Sequence, residues 1–134
     1  MTRREAREAV FGLLFESEFR TDESAEDIFY TSVQNREIPE DEYIKKAYFT
    51  TRDKLCEIDK TIGDNAKGWK TERLTNVSRS ILRLSVYEMM YEDSIPNSVS
   101  INEAVELAKK YDDEKARAFI NGVLNSVKNG LEAK

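Results

Sequence analysis

Apolar positions along this chain recur every three or four residues, the spacing of one helix face, and no stretch alternates as a half-buried strand would. Thr2 and Glu5 are spaced as a capping box. Behind them Ala6, Ala9, Val10, Leu13 and Leu14 predict an amphipathic helix over residues 3–19. A Thr21-Asp22 cap opens a second helix, with Ala25, Ile28, Phe29 and Val33 inward. Pro39 followed by Glu40, Asp41 and Glu42 marks a third start, proline being tolerated in a first turn and acids favoured at the positive dipole end. Ile44, Ala47, Tyr48, Thr51, Leu55, Ile58 and Ile62 carry that helix to Gly63. Residues 64–74 are the least periodic and predict a short fourth helix and a turn.

Residues 75–92 turn apolar on most sides, with Val77, Ile81, Leu82, Leu84, Val86, Tyr87, Met89 and Met90. Such a helix is expected at the centre of a fold. Residues 93–99, with Pro96, read as a connector. Ser100 and Glu103 repeat the capping-box spacing ahead of a stripe of Ile101, Ala104, Val105, Ala108 and Tyr111. The last helix begins near Asp112 and Asp113 and runs to about Lys128, Gly130 standing just beyond it. Its inner face is Ala116, Phe119, Ile120, Val123, Leu124 and Val127. The expected class is all-α, about seven helices in one domain over residues 1–134.

Composition narrows the function. The 134 residues contain no histidine, which removes the commonest general base and metal ligand. No glycine-rich phosphate loop, metal-ligand cluster or G-x-S-x-G elbow is present. The expectation is a non-catalytic protein with no cofactor and no metal. One cysteine, Cys56, fits a reducing cytoplasm. No apolar run approaches the roughly 18 residues of a membrane span, and no membrane partner is expected.

The net charge of −5 is unevenly spread. Residues 22–42 hold eight acids against Arg36, a net of −7, whereas residues 67–83 hold five cations against Glu72, a net of +4. Arg3, Arg4 and Arg7 form a second basic cluster at a helix start. Cations there oppose the helix dipole by roughly 0.3–1 kcal/mol each when exposed. Together with free N–H groups they make an anion-binding end, or else a solvated charged terminus. Asn121-Gly122 interrupts a well-patterned helix, where glycine costs about 1 kcal/mol against alanine. Close packing of another helix is the preferred reason, approach of a ligand the alternative. Trp69 among Lys67, Lys70 and Arg73 has the make-up of a single-strand binder, although a lone tryptophan beside a helix more often belongs to the core.

Three blocks carry a resemblance. Val77-Ser78-Arg79-Ser80-Ile81-Leu82-Arg83-Leu84 continues into Val86-Tyr87-Glu88 and is followed by Ile95-Pro96 and Val99. Then come Ile101-Asn102-Glu103-Ala104-Val105-Glu106-Leu107-Ala108-Lys109 and Phe119-Ile120-Asn121-Gly122-Val123-Leu124. In this order and spacing the chain resembles the bacterial NusB family of transcription antitermination factors, over its whole length and most strongly at 69–125. The resemblance implies two small helical bundles sharing a core. It also implies binding of single-stranded boxA RNA in rRNA leader transcripts, as a heterodimer with the ribosomal protein NusE, supporting read-through by the RNA polymerase elongation complex. Carried onto this sequence, RNA contacts fall on Arg3, Arg4, Arg7, Phe15, Phe119 and Asn121. Lys115 and Arg117 would compensate for Ala118, which stands where relatives often have lysine. Ser78, Leu82 and Glu88 become candidates for the NusE surface, Ser78 replacing a common acid. Phe15 replaces a common tyrosine and keeps only the ring face. Weak RNA binding, strengthened by NusE, follows as an expectation. A protein-binding adaptor, a homodimer of the free protein, or the related domain of rRNA cytosine methyltransferases are the competing readings. The last is disfavoured because no cofactor-binding domain follows Lys134.

Overall fold

The computed structural model describes residues 1–67 and 74–133, and among these every regular element is an α-helix. They are α1 (Arg3–Ser17), α2 (Ala25–Gln34), α3 (Glu42–Asp53), α4 (Leu55–Asn65), α5 (Asn76–Tyr91), α6 (Asn97–Tyr111) and α7 (Glu114–Glu132). None is long and apolar enough to cross a membrane. Helix α5 packs against α1, α3, α4, α6 and α7, so the α1–α3 group and the α4–α7 group share it. One apolar cluster runs through all seven helices, from Val10 and Phe29 through Tyr48, Ile62 and Leu82 to Ala108 and Leu124. The all-helical expectation and the central place of residues 75–92 are both met.

Local chemistry sets the helix starts, and the differences from expectation are informative. Thr2 accepts from Glu5 N–H while the Glu5 carboxylate accepts from Thr2 N–H, completing the capping box. Helix α2 starts at Ser24, whose Oγ accepts from Asp27 N–H, rather than at Thr21-Asp22. Asp41 and Asp113 cap α3 and α7 in the same way. The stretch expected as one helix from Pro39 to Gly63 is two. Lys54 leaves helical geometry at φ −101°, ψ 22° while still donating to Thr50 C=O at 2.8 Å. This bend lets the Ile44, Ala47 and Tyr48 stripe face α1 while Ile58 and Ile62 turn to α5 and α7. A straight helix presents one stripe to one side only.

Helix α6 also starts earlier than expected, with Pro96 at its cap. Proline needs no N–H partner there, and Ser100 is thereby carried one turn into the helix and buried. Neither Ser100 nor Glu103 caps anything; both are committed to polar contacts described below. Helix α7 runs past Lys128 to Glu132 and includes Gly130. A Cβ added to Gly122 would meet nothing within 4 Å, so close helix packing is not what that glycine serves. The short helix expected within 64–74 and the Trp69, Lys70 and Arg73 reading lie outside the described residues, apart from the end of α4.

Candidate nucleic-acid interface

At about 100° per residue, Arg7 lies between Arg3 and Arg4 on one face of α1. Arg7 points inward. Its Nε donates to Glu88 Oε2 at 2.7 Å, with side-chain exposures of 8% and 1%. Tyr43 O–H donates to the same carboxylate oxygen, and Ser100 Oγ donates to Glu88 Oε1 at 2.8 Å. Ser85 Oγ in turn donates to Ser100 C=O at 3.2 Å. Burial disfavours the Arg7 cation, but the hydrogen bond and charge of Glu88 more than offset it and hold its pKa above the ordinary arginine value. Burial first, and the Glu88 charge second, push the Tyr43 phenol well up. This cluster fastens α1, α3, α5 and α6 together.

Arg3 and Arg4 diverge to either side. The Arg3 guanidinium lies 4.2 Å above the Tyr43 ring, a cation–π contact. Arg4 grips Glu103 with two parallel bonds, Nε to Oε1 at 3.1 Å and Nη2 to Oε2 at 2.7 Å, while its side chain stays 66% exposed. Arg7 Nη1 reaches the same Glu103 at 3.5 Å. The Arg4 hydrogen bond is the main reason the Glu103 carboxyl is held below the usual carboxylate range. Arg4 is therefore accessible from solvent although its Nε and Nη2 are held by Glu103, and Arg7 is enclosed.

Beside Arg4, α1 and α6 enclose a groove of about 310 Å³ lined by Arg4, Arg7, Glu8, Glu103, Lys109 and Lys110. Lys110 Nζ donates to Glu8 at 2.7 Å and Tyr111 O–H donates to the same oxygen. Those two hydrogen bonds, Lys110 first, lower the Glu8 carboxyl pKa. Lys109 pairs with Glu106 at 3.3 Å. Tyr111, expected in the inner stripe of α6, is instead 42% exposed. Its ring sits 5.0 Å from Phe11, and the row continues through Phe15 at 6.2 Å from Phe11 to Phe19, 5.1 Å from Phe15. The row of rings thus begins next to the cations. Sequence reasoning missed Tyr111, although an aromatic directly after Lys109-Lys110 at a helix end was a usable signal.

On α7, Lys115 and Phe119 share one face, and Arg117 and Asn121 share nearly the opposite one. Asn121 is exposed and lines a second groove of about 530 Å³ with Arg4, Asn102, Val105 and Lys109. Its C=O and Oδ1 both accept from the Asn125 side chain, at 2.8 and 3.2 Å. Phe119 is half-buried and lines an apolar cavity of about 450 Å³ with Thr75, Ser78, Lys115 and Ala116. Arg117 is half-exposed. The structure therefore joins Arg4 to Asn121, and Phe119 to Lys115, as two separate surfaces.

The candidates for the partner surface need correction. Leu82 is fully buried in the core and Glu88 is the counter-ion of Arg7, so neither reaches a partner from this conformation. Ser78 is buried too, its Oγ donating to Asp112 Oδ2 at 2.8 Å, at the floor of the apolar cavity. Two cations of the basic stretch 67–83 are also committed. Arg79 and Arg83 both donate to Glu18, and Arg83 clamps Asp59 through two bonds of 2.8 Å, tying α5 to α1 and α4.

Comparisons with known proteins bear on what these surfaces serve. The NusB family pattern matches residues 4–129. A transcription antitermination protein NusB of Bacillus pumilus is 42% identical over 132 residues, covering 98% of each chain. NusB of T. maritima superposes with a TM-score of 0.85 at 35% identity, over 96% of this chain and 92% of that one. A chain from a crystal structure of the antitermination factors NusB and NusE in complex with double-stranded RNA superposes at 0.84, with 33% identity and 96% of both chains covered.

Proposed function

This chain belongs to the NusB family, and on that premise we propose that it is a non-catalytic, cytoplasmic antitermination factor, one RNA-binding domain over residues 1–134. It binds boxA RNA of rRNA leader transcripts together with NusE and so supports read-through by RNA polymerase. The observation that carries this reading is the α1–α6 groove, where Arg4, Lys109 and Lys110 stand beside the exposed Tyr111 ring and the Phe11–Phe15 row behind it. Cations along a groove neutralise phosphates, and an adjacent ring stacks an unpaired base. Such stacking needs bases that are free to splay out, which favours a single strand over a closed duplex. Arg3 and Asn121 flank the groove and extend the contact, Arg117 lies on the Asn121 side of α7, and Lys115 and Phe119 supply a second patch on its other side. Of the three α5 candidates for NusE, Ser78 alone lines a cavity, while Leu82 and Glu88 lie inside. The solved relative in complex with NusE and RNA supports the choice of partners.

The test is a titration of single-stranded boxA RNA, its duplex and a scrambled strand, with and without NusE, across a salt series. Three phosphate contacts set an upper limit of about −2 on the log–log salt slope on a single strand, at about 0.7 per contact. NusE should strengthen binding to boxA over the scramble. If no RNA binds under any of these conditions, the reading is wrong and a protein-binding adaptor replaces it.

A further inference from the structure

Every cation lining the α1–α6 groove already has a carboxylate partner: Arg4 has Glu103, Arg7 has Glu88, Lys109 has Glu106 and Lys110 has Glu8. A groove built only for charge would leave its cations unpaired. Glu8 and Glu103 are also well placed to stay ionised, both having lowered pKa values through their cation hydrogen bonds. Glu8 does two things at once, since it holds Lys110 and accepts from Tyr111 O–H. We propose that Glu8, Glu103 and Glu106 are specificity-determining residues of the RNA groove, acting as internal counter-ions that a phosphate backbone must displace.

The physical consequence concerns which RNA succeeds. A phosphate that takes Lys110 from Glu8 gains one ion pair and leaves a bare carboxylate, which recruits a cation from solution. The exchange is close to neutral, and little net counter-ion is released. An RNA offering charge alone therefore gains little, whereas one that also lays a base on Tyr111 gains stacking that no carboxylate opposes. Self-neutralisation thus suppresses non-specific binding more than specific binding. In an otherwise acidic chain of net charge −5, the same effect limits the groove's long-range attraction for polyanions.

This inference rests on the RNA reading above, and the experiment separates the two. Glu8→Gln, Glu106→Gln and their double variant are titrated with boxA RNA and the scrambled strand, with NusE present, over a salt series. Glu26→Gln on α2 is the control, because it removes one negative charge from a carboxylate that has no ion pair among the described residues. Each groove variant should raise affinity for the scramble about two- to five-fold, the range expected for one exposed ion pair. The boxA preference should fall accordingly, and the salt slope on the scramble should steepen by about 0.7 for each cation released. Glu26→Gln should leave slope and preference unchanged. If the wild type prefers boxA but the groove variants keep its slope and preference, or Glu26→Gln matches their effect, the counter-ion role is overturned while the RNA reading stands. If neither wild type nor variants bind RNA, both fall together. Glu106→Gln leaves Tyr111 untouched, so a loss seen only in Glu8→Gln would mark Glu8 as a ring-positioning residue and overturn its counter-ion role.

Discussion

Replacing Glu88 by glutamine tests the buried polar cluster most directly. The two side chains have nearly the same shape, so the change removes charge without opening a cavity. Glu88 Oε2 accepts from Arg7 Nε and Tyr43 O–H, and Oε1 accepts from Ser100 Oγ. With its amide nitrogen toward Ser100, whose hydroxyl can turn to accept, the glutamine keeps its hydrogen bonds, but Arg7 loses its principal counter-ion in a site where its side chain is 8% exposed. Removing one partner of a buried pair costs about 3–5 kcal/mol. Glu103, 3.5 Å from Arg7 Nη1, gives partial relief, which places the expectation near the lower figure, about 3 kcal/mol. Unfolding entropy near 2.1 cal/mol/K per residue gives roughly 0.28 kcal/mol/K for 134 residues. The melting temperature should therefore fall by about 10 °C. Urea denaturation should show a lower midpoint at unchanged slope. The double variant Arg7→Met/Glu88→Gln removes both charges and should recover at least half the loss, whereas Arg7→Met alone should not. A cost below about 1 kcal/mol for Glu88→Gln, or additive losses in the double variant, would refute the account.

Arg4→Ala should weaken boxA and scrambled RNA alike and flatten the salt slope by at most about 0.7, read in the same titrations, because its exposed guanidinium serves phosphates and no base edge. Tyr111→Ala should lose about 1–3 kcal/mol of boxA binding while Tyr111→Phe keeps most of it, as measured by fluorescence anisotropy; equal losses would point to the hydroxyl instead of the ring. Gly122→Ala should stabilise the protein by about 0.5–1 kcal/mol in urea melts, since helix propensity improves and the added methyl meets open space. The pH dependence follows from Glu8 and Glu103. Their folded pKa values lie below the ordinary 4.5, so their stabilisation is complete above that value and is lost as pH falls through the lower folded values. Urea midpoints measured from pH 6 downward should hold steady until about pH 4.5 and then decline, and Glu103→Gln should make that decline shallower.

Much of this protein was legible in local pattern. Periodicity predicted the helical class, the central position of residues 75–92 and the inner stripes of α1 and α7, because a helix face is settled by residues within four positions of one another. The arginines at the chain start were visible as a local cluster too, whereas Phe15 became a candidate only through the family resemblance. What pattern could not supply was the pairing of charges far apart in the chain. Arg3, Arg4 and Arg7 look equivalent in sequence, yet about 40° of helix rotation separates an arginine on the Tyr43 ring from one buried on Glu88. Glu88 looked like surface on a partly polar helix, and only the arrival of α1 and α6 made it a counter-ion. Ser100 and Glu103 matched a capping box, and the earlier start at Pro96 assigned them to Glu88 and Arg4. Tyr111 belonged by spacing to the buried stripe, but α6 ends there and the ring, packed against Phe11, stays 42% exposed. Local spacing determines which residues share a face. Only the packing of helices from distant parts of the chain decides which face meets water, and which acid meets which base.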